Sequence, residues 1–142
     1  MKVTAERYHD FSCGHRVYGH ESKCAHLHGH NYRVHFECAP QEGLDAIGRV
    51  LDFSVIKSRL CEWLEENWDH RFLIWSGDPD AEALHRIDPY GVVRVNFNPT
   101  AENMALHLLA LAPALLIGTD CSLVRVRIEE TRKCSATAEV TP

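Results

Sequence analysis

The chain lacks any long hydrophobic run. Its greasiest stretch, Leu108 to Ile117, spans ten of the 142 residues and contains Pro113, whereas a helical membrane span needs about 18 or more. The opening MKVTAERYHDFS has no apolar core of the secretory kind, so the expected location is the cytoplasm. There is no block of Lys or Arg either. Fifteen basic residues stand against 20 acidic ones, for a net charge of −5. That excludes nucleic acid as the expected partner, because such binding draws on basic patches. Repeats and low-complexity tracts are absent. With 45% hydrophobic and 25% charged residues, the composition argues against disorder, collagen and coiled coil. The length predicts one domain over residues 1–142, large enough to bury about two-thirds of its unfolded surface without staples.

What the sequence does have is histidine. Seven of its ten histidines, at positions 9, 15, 20, 26, 28, 30 and 35, fall near the N-terminus, spread among apolar residues rather than in a tag-like row. Six cysteines stand at 13, 24, 38, 61, 121 and 134. In a cytosolic protein they are expected reduced, and all but Cys24 fall in patterns that read as small buried hydrophobes.

The element pattern is mixed. Val3 to Phe11 reads as a strand and His15 to Leu27 as a loop. His30 to Cys38 alternates with period two, placing Tyr32, Val34, Phe36 and Cys38 on one face. Ser54 to Trp68 reads as a helix capped by Asp52 or Ser54. Ser76–Asp80 and Asp88–Gly91 read as loop, and Val92 to Phe97 as a short strand. Thr100 caps a second helix carrying Met104, Leu108, Leu111 and Leu115. Val124, Val126 and Ile128 alternate with Arg125, Arg127 and Glu129, and Ala136 to Val140 reads as a last strand. The simplest packing of that order is two helices on one face of an antiparallel sheet, an α+β fold.

The densest chemistry is Cys24-Ala-His26-Leu-His28-Gly-His30-Asn-Tyr32. Strand residues two apart share a face roughly 6.5–7 Å apart, so His28 and His30 can close on one metal ion, and Gly29 leaves room between them. His15, ending the preceding strand, is the best third ligand. Three neutral imidazoles favour Zn²⁺ with an open fourth position, the arrangement of a catalytic site. Cys24 leaves two readings open. It is either the fourth ligand of a closed structural site or a free thiol whose pKa the metal lowers. Cys13, in Cys13-Gly-His15, can feed the same metal. The histidines at 20, 26, 35, 85 and 107 stand alone and read as surface or core-edge residues.

Six motifs occur in an order that resembles one family. They are Phe11-Ser-Cys-Gly-His15, Cys24-x3-His28-Gly-His30-Asn-Tyr32, Asp52-Phe-Ser, Trp68-Asp69-His70-Arg, Pro99-Thr-Ala-Glu102-Asn and Glu130-Thr131. The resemblance covers about residues 1–140 and is to the 6-pyruvoyl-tetrahydropterin synthases and their bacterial relatives, the 6-carboxy-tetrahydropterin synthases of queuosine biosynthesis. The three residues between Cys24 and His28 resemble the 6-carboxy type; animal 6-pyruvoyl enzymes place five there. The resemblance implies a T-fold, a four-stranded antiparallel sheet with two helices on one face. It implies a homohexamer, a dimer of trimers with active sites between subunits. It also implies Zn²⁺ on His15, His28 and His30, with Cys24 as a catalytic base rather than a ligand.

Three features depart from the family pattern. Cys13 stands where a small residue is usual, Trp68 where Leu is usual, and Phe72 to Gly91 is longer than in the shortest relatives.

The substrate so implied is 7,8-dihydroneopterin triphosphate, taken to 6-carboxytetrahydropterin with release of acetaldehyde and triphosphate. Cys24 and His70 would move protons and Asp69 would orient a histidine. Asp69 and His70 are neighbours, so either the backbone turns there or they serve different partners. Read without the resemblance, Asp-His at a helix end is a C-terminal cap. Strand parity puts Glu130 on the apolar face with Ile128, where a carboxylate needs donors. The resemblance makes it the anchor of the pterin edge, away from the metal, and leaves Glu129 as a solvated ion-pair partner. Glu102 opens a helix, where capping is its simplest role, and the resemblance places it near the pterin. Arg16, Lys23 and Arg33 are the cations at hand for the triphosphate. The alternatives are a 6-pyruvoyl-tetrahydropterin synthase and a zinc-stabilised binding module.

Overall fold

Period-two alternation carries the first two strands further than their apolar residues alone suggest. The computed structural model describes residues 1–141. In it β1 (Ala5–His15) continues past Phe11 because Cys13 and His15 keep the inward parity. β2 (His28–Pro40) runs antiparallel to it in unbroken register from Ala5 opposite Cys38 to His15 opposite His28. On β2, Tyr32, Val34, Phe36 and Cys38 are at most 1% exposed. β5 (Cys121–Glu129) pairs with β2, and β6 (Ser135–Glu139) with β5, both antiparallel. A register shift at Glu37/Cys38 lets Leu123 and Val126 both face the core.

The sheet differs from the expected four antiparallel strands. It has six, in the order β4-β3-β1-β2-β5-β6. β3 (Arg71–Trp75) and β4 (Val92–Val95) are parallel, to β1 and to each other, so the sheet is mixed. Parallel neighbours need a crossover of a dozen or more residues. The long segment after Phe72 supplies it, with α3 (Ala81–Ile87) as a third helical element. The short run Arg71–Trp75 shows no amphipathic alternation, because Leu73 and Ile74 are both wholly buried. β3 covers only Cys13–His15 of β1, so the rest of that edge is unpaired among the described strands.

The helical segments other than α3 pack on one face. α1 (Phe53–Ile56) passes through a π-helical stretch (Lys57–Cys61) into α2 (Glu62–Asn67). Asp52 caps it by accepting from the Ser54 N–H at 2.8 Å. α4 (Ala101–Leu115) is capped by Thr100, whose hydroxyl accepts from the Asn103 N–H at 3.1 Å. Ile56, Leu64, Met104 and Trp68 from these segments meet Phe11, Tyr32, Val34 and Val126 of the sheet in one core. Truncating any of the larger ones to Ala would cost about 2–5 kcal/mol.

The other sheet face is covered only at its β3–β4 end, where Ala81 and Leu84 of α3 pack on Phe72, Ile74 and Val92; elsewhere it carries no helix among the described residues. It presents Asp10, Ser12, Asn31, Arg33, His35, Arg127 and Glu129. Arg33 forks onto Asp10 at 2.7 and 2.9 Å and lies 4.1 Å over the Tyr8 ring. No helix of the described residues is long and apolar enough to cross a membrane. The six cysteines are unbridged, but Cys134 sits exposed in the β5–β6 turn rather than in the core.

Candidate metal centre

The β1–β2 register assembles the histidines. His15 faces His28 directly, and His30, two residues on, faces Cys13. His15 is therefore the cross-strand partner of His28, and all three rings fall on the face that carries the main core. One nitrogen of each lies within 4.8 Å of the others, so the three can hold a metal ion. His15 is completely buried.

Backbone carbonyls fix the tautomers. The Nδ1 of His15 lies 2.6 Å from the Pro99 carbonyl, and the Nδ1 of His28 lies 2.6 Å from the His26 carbonyl. A carbonyl can only accept, so both Nδ1 atoms carry the protons. In the neutral rings both Nε2 atoms then hold bare lone pairs, facing each other across 3.1 Å. The His30 Nε2 is buried without a hydrogen-bond partner. Two lone pairs face to face repel unless a cation stands between them, the unpartnered His30 nitrogen borders the same space, and imidazoles oriented by carbonyls are the usual outer shell of a metal site. Burial, and the mutual repulsion of cationic rings, hold the His15 and His30 pKa values below the usual range, which keeps the rings neutral and able to ligate.

Glu130 overturns one expectation. Its parity is as expected, but its carboxylate is not away from the cluster: Oε1 lies 3.6 Å from the His15 Nε2 and 3.8 Å from the His30 Nε2. Glu129, on the other face, pairs with His35 at 2.5 Å and with Arg127 at 3.7 Å. Tyr32 closes the floor, its hydroxyl 3.4 Å from the His15 ring nitrogens. Burial, and next the Glu130 charge, push that phenol well above its usual pKa.

Cys24 lies in a 3₁₀ turn (Lys23–Ala25), half-buried and outside the cluster of ligand atoms. Cys13 is outside it too. Its thiol donates to the Gly14 carbonyl at 3.3 Å, and burial pushes its pKa up to about 12.

Asp69 and His70 answer the question of adjacency: the backbone turns. His70 has φ of +58°, a left-handed conformation uncommon outside Gly, though less so for Asn, Asp and His than for other residues. Its N–H reaches the Ser12 carbonyl at 2.7 Å, while the Asp69 carboxylate accepts from the Ser12 N–H at 3.0 Å and binds the His70 Nδ1 at 2.8 Å. Burial tends to raise the Asp69 carboxyl, but the Ser12 and His70 bonds outweigh it and hold it below the usual range. The pair borders a cleft of about 650 Å³ that reaches across the uncovered face past Ser12, Arg33 and Arg132. None of the three histidines lines that cleft.

Glu102 is exposed in the first turn of α4. Two of the candidate cations are committed: Arg16 to Asp78 and Asp80, and Arg33 to Asp10. The Pro99 and His26 carbonyls and Tyr32, which complete the centre, went unread in the sequence. A carbonyl has no side-group signature, and Tyr32 is indistinguishable there from a core aromatic.

Against known families, residues 4–140 match the model for 6-pyruvoyl tetrahydropterin synthase. The chain belongs to this family. Its relatives include the 6-carboxy-5,6,7,8-tetrahydropterin synthase of Rickettsia typhi, 34% identical over 136 residues that cover 93% of this protein and 96% of that one. A solved Wolinella succinogenes protein of uncharacterised function superposes with a TM-score of 0.84 at 25% identity, covering 98% of each. The 6-pyruvoyl tetrahydropterin synthase of Plasmodium vivax superposes with a TM-score of 0.72 at 18% identity over 99% of each, a likeness of fold. Membership accounts for the six motifs and for the T-fold frame of β1, β2, β5 and β6. It also makes the protein one of an enzyme family acting on pterins.

Proposed function

We propose that this protein is a zinc-dependent 6-carboxy-tetrahydropterin synthase, a carbon–carbon lyase of queuosine biosynthesis. It would convert 7,8-dihydroneopterin triphosphate and one water to 6-carboxytetrahydropterin, acetaldehyde and triphosphate. The observation that carries the reading is the convergence of three histidine ring nitrogens, two of them aimed by carbonyls, in a protein whose 93%-covering relative bears that name.

Zn²⁺ held by His15, His28 and His30 would bind oxygens of the substrate's side arm and stabilise negative charge on them. Cys24, half-buried and close to the β2 ligands in sequence, is the proposed base for a C–H proton of that side arm. His70 is the second acid/base. Asp69 accepts its Nδ1 proton, which leaves Nε2 as the atom that exchanges protons with substrate. Glu130 offers carboxylate oxygens to the N–H edge of the pterin at the wall of the cluster, with Glu102 at the start of α4 as a second contact. Lys23 has no carboxylate within 4.0 Å among the described residues, unlike Arg16 and Arg33, so it is the favoured cation for the triphosphate.

The Asp69–His70 pair opens on a different cleft from the metal centre. In this reading a second copy supplies it, which favours a homohexamer of two stacked trimers. Unpaired stretches along β1 and the bare outer edge of β6 are where strands of neighbouring copies can join. Light scattering should give about six protomer masses, and a fully active monomer would end this part of the reading.

The deciding assay is incubation of zinc-loaded protein with 7,8-dihydroneopterin triphosphate. Acetaldehyde and triphosphate are expected in equal amounts. Triphosphate without acetaldehyde would replace the proposal with 6-pyruvoyl-tetrahydropterin synthase chemistry, the name of the matching family model.

A further inference from the structure

The tautomer of His15 depends on one carbonyl, that of Pro99, and the segment around Pro99 is poorly equipped to hold itself. Proline has no N–H to donate, so residues 98–100 must be fixed from either side. Asn98 does most of this. Its Oδ1 accepts from the Tyr18 N–H at 3.0 Å and its Nδ2 donates to the Tyr18 carbonyl at 2.8 Å. One planar amide thus pairs with both backbone groups of a residue three past His15, as a neighbouring strand would. The Asn98 backbone carbonyl accepts from the Thr100 N–H at 2.8 Å and from the Asn103 Nδ2 at 2.9 Å. Thr100 in turn caps α4 through the Asn103 N–H. Asn98 therefore ties together the segment leaving β1, the N-terminus of α4 and the buried Pro99 between them.

We propose that Asn98 is a positioning residue for the metal centre. It holds the Pro99 carbonyl where it fixes His15 as the Nδ1–H tautomer and aims its Nε2 at the ion, although Asn98 touches neither ion nor ligand. The inference rests on the metal-binding reading of the three histidines. It explains why an amide is needed. Aspartate would set a carboxylate oxygen against the Tyr18 carbonyl, and alanine would leave both Tyr18 groups unpaired. It also assigns work to Asn103 of the Pro99–Asn103 motif, which the reaction itself does not use.

Two readouts test it. The first is Co²⁺ affinity by chelator competition, followed by the visible absorption of the bound ion. The second is the tautomer of His15 in metal-free protein, read by long-range ¹H–¹⁵N NMR. Asn98→Asp and Asn98→Ala should lose about 10–100-fold in Co²⁺ affinity, the usual scale for outer-shell partners. Both should also lose the uniform Nδ1–H signature of His15 while keeping native circular dichroism. Asn103→Ala, which removes one bond to the Asn98 carbonyl, should lose less. It carries the test if the Asn98 variants fail to fold. Asn96→Ala, two residues upstream, should match the native protein. Co²⁺ affinity within twofold of native in the folded Asn98 or Asn103 variants, with His15 unchanged, would overturn the inference. If native protein takes no Co²⁺, the metal reading fails, and the tautomer readout alone judges the role of Asn98.

Discussion

Gly29 separates two histidines of the candidate metal cluster and sits directly opposite Gly14 across the β1–β2 pair. A Cβ added at Gly29 would lie 3.1 Å from the Cys13 carbonyl oxygen and 3.4 Å from the Gly14 Cα, where ordinary contacts begin near 3.4 Å. Both neighbours are backbone, so nothing flexible can swing away, and the strands must part by a few tenths of an ångström. Zinc sites hold their ligand distances to about ±0.2 Å. The strain therefore falls between His28 and His30 at the scale the site cannot absorb. Gly29→Ala should weaken Zn²⁺ binding about tenfold, or ~1.4 kcal/mol. The metal-free protein should respond differently. Ala restricts the unfolded state and recovers roughly 0.4–1 kcal/mol, which offsets the clash, so its denaturant midpoint should barely move. Chelator competition measures the first quantity and urea unfolding of the stripped protein the second. Zinc affinity within twofold of native would refute the idea that close strand approach sets the geometry of this centre.

Cys24→Ala should retain zinc and fold but lose about 10²–10⁴-fold in turnover, as expected for a positioned base; loss of the metal with it, by elemental analysis, would make Cys24 a ligand. Glu130→Gln should weaken pterin binding about tenfold to a hundredfold by calorimetry. Because Glu130 lies within 4 Å of two of the histidines, zinc affinity should fall with it, and Glu129→Gln should leave both unchanged. The lowered Asp69 carboxyl contributes stability that is full above the unfolded value of about 3.9 and is lost as pH falls through its lower folded value. The stability gap between native protein and Asp69→Asn should therefore be flat at neutral pH and close only in strong acid; a gap that closes between pH 5 and 7 would count against the Ser12 and His70 bonds as its source.

The centre was legible in the sequence wherever inward and outward residues alternate. His28 and His30 could be paired from spacing, and His15 followed from its place at the end of the preceding strand. Glu130 was put on the correct face by counting parity from Ile128. Its closeness to the His15 and His30 rings was missed, because parity gives a face but not how far the backbone turns after Glu129. The parallel strand β3 escaped notice for a related reason. Burial on both sides erases the alternation that marks a strand, and Leu73 and Ile74 are both buried. The left-handed turn at His70 has no local signal at all. Two bonds to Ser12, 57 and 58 positions away, impose it. The committed state of Arg16 likewise depends on Asp78 and Asp80, far along the sequence.

The cleft beside Asp69 and His70 and the three histidines face apart on one sheet. If a second copy supplies the Asp69–His70 pair, as proposed, that division of labour would be visible by genetics. Preparations of Cys24→Ala and His70→Ala, each nearly dead, would supply opposite halves of a site. Unfolded together and reassembled in equal amounts, random neighbours would restore about one site in four, the product of two one-half chances around a head-to-tail ring. Two lesions placed in the same protomer and mixed with nothing could never complement. Activity regained from two inactive parents would identify a quaternary enzyme whose smallest working part is a boundary.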